Sequence, residues 1–327
     1  MLVTGASGFL GGALVRRLAS EGYRVKVLVR PTSDLSSLEG CSIEPVVGGL
    51  TDAEAVASAL REVSVVYHCA AVSTDWAPTK DFREANVMGV QTLVEAACAQ
   101  EGLRRFVHVS TTDVYGYPRL ACDESGPRLA VGLPYNETKI LGEEVVWEAG
   151  RRGLPITIVR PASIYGPRSA EFVREIGQLL RQGMMLTLDG GESHAGLIYV
   201  DNCVEAMVQL ASSPSAEGRA FNLRDPHDTS WRGYLDALAA AIGSGRARLN
   251  LPGGMAYGLG WLLEVLYGLL RVRSRPLLTR HAVRVLQRDQ GYVIDVMKAE
   301  VDCAAFIDLE EGIRRSAEWF LEVEGRT

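Results

Sequence analysis

The chain has 327 residues, 47% of them hydrophobic and 23% charged, so it can bury a large core in two domains or in one α/β unit with an appended lobe. Its formal net charge is −6 with both signs mixed along the chain, which argues against a nucleic-acid-binding surface. Its six cysteines lie far apart and its histidines are not clustered, so we expect reduced thiols and no metal site.

The first predicted element is an apolar strand at residues 2–4, followed by a glycine-rich turn and a helical run over 13–18. Gly5 can form the tight turn, Gly8 lets the backbone approach a pyrophosphate, and Gly11 lets the helix pack closely on the strand. The helix N-terminus then offers N–H groups to a phosphate. The pattern predicts a dinucleotide site, with an ordinary strand-to-helix turn as the alternative. Because the strand starts at residue 2, we expect no secretory signal and a cytoplasmic protein.

Apolar runs and helical segments alternate through the first half of the chain. The clearest strands are predicted at residues 24–29, 65–69, 105–110 and 156–160. Apolar residues spaced three and four apart predict helices over 52–61, 82–100 and 135–152. This alternation predicts an α/β fold with a Rossmann-like, doubly wound parallel sheet.

After Pro161 the rhythm changes, and the chain is expected to leave the sheet for a helix over 170–182. It is expected to return around 196–210 and 220–223, and then to form a mainly helical lobe that ends with a helix over 309–321. We therefore predict a dinucleotide-binding domain and a smaller substrate-binding lobe. Their predicted ranges are 1–163 with 196–224, and 164–195 with 225–327.

Tyr135 and Lys139 stand four residues apart, on one face of a predicted helix. A free tyrosine has a pKa of about 10, so proton exchange near neutrality requires a nearby cation that stabilises the phenolate. Upstream, hydroxyl side chains follow a predicted strand, and Thr111 could hold a substrate oxygen there. A surface tyrosine beside a lysine, and a threonine that only caps a strand, are the alternatives.

Several separated motifs together resemble those of the extended short-chain dehydrogenase/reductases, the epimerase/dehydratase-like group. They are Thr4 to Gly11, His68 to Ala71, Asn86 to Val90, Ser110 to Gly116, Tyr135 to Lys139, Arg160 to Pro167 and Tyr199 to Asn202. The resemblance implies that Thr111, Tyr135 and Lys139 are catalytic. It also implies a homodimer through helices 82–100 and 135–152, and these cofactor contacts: Gly5, Ser7, Gly8, Phe9, Leu10, Gly11, Arg30, Leu50, Ala70, Tyr135, Lys139 and Pro161.

The end of the second predicted strand bears on the identity of the cofactor. An NAD site has an acidic side chain there, whereas this chain has Val29 followed by Arg30. An arginine suits a 2′-phosphate, so NADP is favoured over NAD, with a merely solvated arginine as the alternative. Gly49 stands where relatives usually carry an aspartate that contacts the adenine amine.

Three positions separate the chain from enzymes that act on nucleotide sugars. Ser163 and Ala195 replace an asparagine and an arginine that help to hold the pyrophosphate, and Thr112-Asp113 replaces the Asp-Glu pair of dehydratases. The pattern is most similar to the branch of 3β-hydroxysteroid dehydrogenases, dihydroflavonol reductases and 2-alkyl-3-oxoalkanoate reductases. The expected substrate contacts are Ser73, Trp76, Thr112, Asp113 and Ser163.

The apolar stretch 255–270 is shorter than the roughly 20 residues that span a bilayer and contains Glu264, so no membrane span is expected. It is followed by Arg271, Arg273 and Arg275, and the segment 255–273 has three interpretations: a core helix, a wall for an apolar substrate, or a helix that contacts a membrane surface or a second subunit. His194, His227 and His281 lack a partner motif and are assigned no catalytic role.

These observations predict an NADP-dependent oxidoreductase that interconverts a ketone and a secondary alcohol. The substrate would be a largely apolar small molecule that is steroid-like, a β-keto acid or flavonoid-like. Tyr135 would protonate the carbonyl oxygen, Lys139 would lower the tyrosine pKa, and Thr111 would hydrogen bond the developing alkoxide. The alternatives are a nucleotide-sugar epimerase with tightly bound NAD and a non-catalytic NADP-sensing protein.

Overall fold

The computed structural model describes residues 1–120, 122–227, 229–272 and 274–325. Its strands are β1 (Leu2–Thr4), β2 (Val25–Val29), β3 (Ile43–Val47), β4 (Val65–His68), β5 (Arg105–Val109), β6 (Ile156–Pro161), β7 (Ser163–Tyr165), β8 (Leu186–Leu188), β9 (Leu197–Tyr199), β10 (Arg219–Leu223) and β11 (Leu249–Leu251). The four strands predicted most clearly are confirmed, each with ends within one residue of those expected.

Seven of these strands form a parallel sheet in the order β10-β6-β5-β4-β1-β2-β3. Both faces of the sheet are covered, which explains why the inner strands are continuous apolar runs rather than alternating ones. The strand order reverses between β1 and β4. In open α/β sheets this switch point forms a crevice at the carboxyl ends of the strands. The doubly wound parallel sheet expected from the sequence is confirmed.

Helices cover the sheet and build most of the second half of the chain. They are α1 (Phe9–Ser20), α2 (Ala53–Leu60), α3 (Thr79–Arg83), α4 (Gly89–Cys98), α5 (Pro134–Arg151), α6 (Ile176–Arg181), α7 (Val200–Ser212), α8 (Trp231–Ala241), α9 (Gly253–Leu269), α10 (Arg280–Gln287), α11 (Asp295–Glu300) and α12 (Leu309–Glu324). The predicted helix over 82–100 contains a π-helical turn, Glu84–Met88, between α3 and α4. A second π-helical turn, Ala170–Glu175, precedes α6.

The return of the chain to the main sheet is only partly as expected. β10 joins the sheet beside β6, as predicted, but Leu197–Tyr199 pairs with β7 in a separate two-stranded sheet. The residues that follow form α7, because their apolar side chains recur at helical spacing and pack against α1 and the sheet. The division into 1–163 with 196–224, and 164–195 with 225–327, stays a prediction.

In the C-terminal lobe, α9 packs on α10 through a small apolar cluster. Among the residues of α9 only Gly253, Ala256 and Gly260 are fully buried, so the core-helix interpretation of this segment is wrong. Its outer face exposes the following residues: Met255, Leu259, Trp261, Leu262, Val265, Leu266 and Leu269. Arg273, part of the segment 255–273, lies outside the described residues. Within the described part of the chain, the helices are all too short or too polar to cross a membrane.

Candidate active site

The turn after β1 and the turn after β4 touch at the switch point of the sheet. Gly5 has a φ of +72°, and a Cβ atom on it would lie 2.7 Å from the backbone nitrogen of Ala70. A Cβ on Gly11 would lie 2.2 Å from the carbonyl oxygen of Gly5, so α1 can pack on the strand only if this residue is glycine. No side chain caps the N-terminus of α1 at Gly8. Its first N–H groups are therefore available to an anion.

A cavity of about 760 Å³ opens above this turn and runs along the carboxyl ends of the strands. All of the residues predicted to hold the cofactor line it: Gly5, Ser7, Gly8, Phe9, Leu10, Gly11, Arg30, Leu50, Ala70, Tyr135, Lys139 and Pro161. The narrow glycine cradle, the uncapped helix and Arg30 fit a dinucleotide phosphate backbone. At Gly49 a Cβ would meet only ordinary contacts at 4.0 Å, so the missing aspartate leaves open space rather than a blocked site.

Thr111, Tyr135 and Lys139 all line this cavity. Thr111 follows β5, and the Nζ of Lys139 donates to the carbonyl oxygen of Val109 at 2.7 Å. Burial lowers the pKa of Lys139 to about 8. Burial raises the pKa of Tyr135, and the charge of Asp113 adds to this effect, whereas the Thr111 hydrogen bond opposes it. The protein groups alone therefore raise the pKa of Tyr135, whereas Lys139 was expected to lower it.

A buried ion pair fixes the orientation of α5. Glu143, two turns beyond Tyr135 on this helix, accepts hydrogen bonds of 2.9 and 2.8 Å from Arg160 of β6. Arg160 also donates to the hydroxyl of Tyr115 at 2.7 Å. Because both charges are buried and paired, removing either would leave an uncompensated charge in the core. The pair therefore holds the face of α5 that carries Tyr135 and Lys139 towards the cavity.

Four of the five predicted substrate residues line the cavity, namely Ser73, Thr112, Asp113 and Ser163. Trp76 does not belong to the cavity wall. Its ring meets that of Tyr267 of α9 edge to face, with centroids 6.2 Å apart. Conversely, the described residues of α9 do not line the cavity, so the substrate-wall interpretation of this helix is wrong.

Two ionisable residues that the sequence did not single out also reach the cavity. His281 of α10 forms a 2.8 Å hydrogen bond with Asp113. The expectation that this histidine has no partner in the site is therefore wrong. Glu171 lies in the π-helical turn before α6, where enclosure by protein and the charge of Asp75 raise its pKa to about 7. Among the described residues, no three histidine, cysteine or acidic side chains are grouped so as to hold a metal ion.

Comparison with known proteins assigns the family. Residues 1–223 match the NAD dependent epimerase/dehydratase family. The chain belongs to this family. It is 30% identical to the 2-alkyl-3-oxoalkanoate reductase of Stenotrophomonas maltophilia, over 96% of this chain and 97% of that protein. It is also 30% identical to the 4-hydroxy-2-methyl-3-oxo-4-farnesyl-3,4-dihydroquinoline-1-oxide ketoreductase of Stigmatella aurantiaca, over 95% and 93% of the two chains.

The fold of this family member matches that of solved structures over its whole length. The UDP-glucuronic acid 4-epimerase of Bacillus cereus, solved with NAD, superposes with a TM-score of 0.78 at 21% identity and covers 98% of each chain. As a member of the epimerase/dehydratase family with reductases and dehydrogenases among its relatives, the protein is an NAD(P)-dependent dehydrogenase/reductase of the extended short-chain type.

Proposed function

We propose that the protein is an NADP-dependent oxidoreductase that interconverts a ketone and a secondary alcohol on a largely apolar small molecule. The observation that carries this proposal is the lining of the cavity. Thr111, Tyr135 and Lys139 lie together in it, and its far end, the end near Asp113 and Glu171, offers no unpaired cation among the described residues. Steroid-like ketones, β-keto acids and flavonoid-like ketones are the substrate classes to test. The 30% identity to two ketoreductases supports the same reaction.

Each catalytic residue has a distinct task in this reaction. Thr111 hydrogen bonds the substrate oxygen and stabilises the negative charge that develops on it. Tyr135 donates its proton to that oxygen during reduction and takes it back during oxidation. Lys139, which is held by the carbonyl of Val109, supplies the positive charge that stabilises the phenolate left behind. When bound against the glycine turn, the nicotinamide cofactor supplies or accepts the hydride.

The charges along the cavity favour this function over nucleotide-sugar epimerisation. Three described lining residues can carry a positive charge: Arg30, Lys139 and His281. Arg30 lies at the end of β2, on the cofactor side, and the other two already hydrogen bond to Val109 and Asp113. The pyrophosphate of a nucleotide sugar would enter the far end, near Asp113 and Glu171, without a cationic partner. A neutral apolar ketone meets no such cost.

Arg30 supports NADP rather than NAD as the cofactor. Its side chain is exposed at the cavity rim, where Ser33 also lines the wall and its hydroxyl accepts a hydrogen bond from the backbone N–H of Arg30. A guanidinium beside a serine hydroxyl matches the 2′-phosphate of NADP, and the position lacks the acidic side chain that would bond the 2′-hydroxyl of NAD.

Two exposed apolar surfaces suggest how the enzyme is assembled and placed. Met88 and Leu141 are exposed on the adjacent helical pair around α4 and α5, and this supports a homodimer through that pair.

On α9 the exposed face carries no charged residue, since Glu264 turns inward to pair with Arg280. Such a face, which includes Trp261, supports peripheral contact with a membrane surface by a protein that otherwise resides in the cytoplasm.

Consumption of NADPH tests the proposed function directly. The purified enzyme is assayed with 3-keto steroids, β-keto acids, flavanones and nucleotide sugars, and we expect turnover with at least one ketone. Tyr135→Phe should lower that turnover by about 10²- to 10⁴-fold without weakening NADPH binding, while Tyr23→Phe, an exposed control, should leave it unchanged. Near-normal turnover by the Tyr135 variant refutes the mechanism. Copurified NAD with epimerase activity would favour the epimerase, and tight NADPH binding without any turnover would favour the sensor.

A further inference from the structure

The C-terminal lobe places a histidine directly against the catalytic tyrosine. His281 is the second residue of α10, and its ring meets that of Tyr135 edge to face, with centroids 5.8 Å apart and an interplanar angle of 79°. The Nε2 atom of His281 lies 2.8 Å from Oδ2 of Asp113. The histidine therefore contacts both the catalytic tyrosine and the carboxylate of Asp113.

Asp113 is itself held firmly by the catalytic segment. Its backbone N–H donates to the hydroxyl of Thr111 at 3.2 Å, and its carbonyl oxygen accepts a hydrogen bond of 2.7 Å from Asn136 of α5. Asn136 is the neighbour of Tyr135 in the chain. These two bonds hold the backbone of Asp113, and its carboxylate is held by the hydrogen bond to His281.

The position of His281 depends on a polar contact between the lobe and the loop after β4. Thr279 caps α10 by accepting a hydrogen bond from Ala282, and its hydroxyl donates to Oδ2 of Asp75 at 2.6 Å. Arg275 pairs with both carboxylate oxygens of Asp75 at 2.6 and 2.7 Å. The loop that carries Asp75 also lines the cavity through Ser73. Docking of the lobe on this loop thus brings His281 to Tyr135.

We propose that His281 is a positioning residue for proton transfer, whose positive charge neutralises Asp113 beside Tyr135 when the C-terminal lobe is docked. This inference rests on the proposed function, because it assigns a proton-transfer role to Tyr135. It extends that function by making the lobe, and not only the sheet, part of the proton-transfer apparatus.

The charges around His281 explain why a cation is favoured there. The groups that face it are Asp113 and Tyr117 after β5, Asp75 with its partner Arg275, Glu171 before α6, and Tyr135 of α5. Burial lowers the pKa of His281, but the hydrogen bond to Asp113 and the three carboxylates outweigh burial, so the net direction is upward. When Tyr135 gives up its proton, its phenolate would face the Asp113 carboxylate. A protonated His281 offsets that repulsion.

The first experiment follows the imidazole of His281 by NMR and requires no turnover. Among the five histidines, the signal absent from His281→Gln identifies the residue. We expect its titration midpoint to lie above the ordinary value of about 6.5, and to fall by at least roughly one pH unit in Asp113→Asn. His227→Gln, which removes an exposed histidine, serves as the control. An unchanged midpoint in Asp113→Asn overturns the proposal.

The second experiment measures the pH dependence of alcohol oxidation with NADP⁺ and the alcohol of the best ketone substrate. Oxidation needs the Tyr135 phenolate, so its rate rises with pH. His281→Gln leaves the Asp113 charge uncompensated and should move this rise upward by roughly one to two pH units. The double variant His281→Gln/Asp113→Asn should move it back. A merely structural role would lower the rate without moving the profile, and that result overturns the proposal.

The two experiments separate failure of this inference from failure of the proposed function. If no ketone or alcohol is turned over but the His281 midpoint still depends on Asp113, the proposed function fails and the electrostatic coupling stands. If turnover depends on Tyr135 but neither the midpoint nor the pH profile responds to these variants, the proposed function stands and the role of His281 is wrong.

Discussion

Replacement of Lys139 by methionine should abolish activity and stabilise the protein at the same time. The ammonium group is only 4% exposed, and burial lowers its pKa from 10.5 to about 8. The folded state therefore binds this proton less tightly than the unfolded chain does. This difference corresponds to roughly 3 kcal/mol, at about 1.36 kcal/mol for each tenfold change in acid strength. Below about pH 8 Lys139 is charged in both states, and the folded state is destabilised by this full amount. The destabilisation disappears as the pH rises towards 10.5.

Urea denaturation at two pH values measures this effect. Lys139→Met removes the buried charge while keeping a side chain of similar length, so we expect it to be more stable than the wild type by about 1 to 3 kcal/mol at pH 7. At pH 9.5 the advantage should shrink to about 1.4 kcal/mol or less, because wild-type Lys139 has by then lost its proton. Turnover of a ketone should fall by about 10²-fold or more at both pH values.

Lys26→Met provides a matched control. Lys26 is also buried and donates to a backbone carbonyl, that of Arg61, at 2.9 Å, but it faces a carboxylate of Glu44 at 3.4 Å. Its loss leaves that carboxylate without this partner, so the control should be neutral or destabilising. The reasoning would be refuted by a Lys139 variant that is less stable than the wild type at pH 7, or by one whose gain in unfolding free energy is the same at pH 7 and pH 9.5.

Three further substitutions test the cofactor site and the two exposed surfaces. Arg30→Ala should raise the KM for NADPH about tenfold or more and leave that for NADH nearly unchanged, whereas Arg24→Ala, at the other end of β2, should change neither. Leu141→Glu should convert a dimer into a monomer in light scattering, because it places a charge in the exposed apolar patch on α5, and a wild-type monomer would contradict the assembly. Leu266→Glu should weaken cosedimentation with anionic vesicles, and Leu321→Glu on α12 should not; equal binding by both would contradict the membrane contact.

Much of the fold could be predicted because its pattern is local. The buried strands are short, mostly apolar runs, and α5 keeps Ile140, Val146 and Ala149 on its buried face. The errors arose where two structures share one pattern. The apolar residues at 197–210 fit either a return to the sheet or a helix on its face, and tertiary packing decides between them. The exposed face of α9 could not be foreseen, since a leucine-rich helix is usually buried.

The grouping of the predicted cofactor residues could be foreseen because they follow neighbouring strands of one sheet. The carboxyl ends of parallel strands meet at one edge, so Gly5, Arg30, Ala70 and Thr111 had to lie together. The substrate side has no such rule. His281 bonds to Asp113 across 168 residues of sequence, and although Asp113 belongs to the motif Ser110 to Gly116, no motif marks His281. The one local signal was Thr279, which caps the N-terminus of α10. A capping residue predicts where a helix begins but not what the helix packs against.

The arrangement of buried charges at the far end of the cavity leads to a final prediction about the substrate. Asp75 pairs with Arg275, and Asp113 pairs with His281, so these two carboxylates are compensated. Glu171 is a further carboxyl group at this end, where desolvation and the charge of Asp75 raise its pKa to about 7. A substrate carboxylate would add to that repulsion, whereas a neutral ester would not. We therefore expect the methyl ester of a β-keto acid to have a higher kcat/KM than the free acid. Glu171→Gln should narrow the difference, and a clear preference for the free acid would show that a cation not identified at this end binds the substrate.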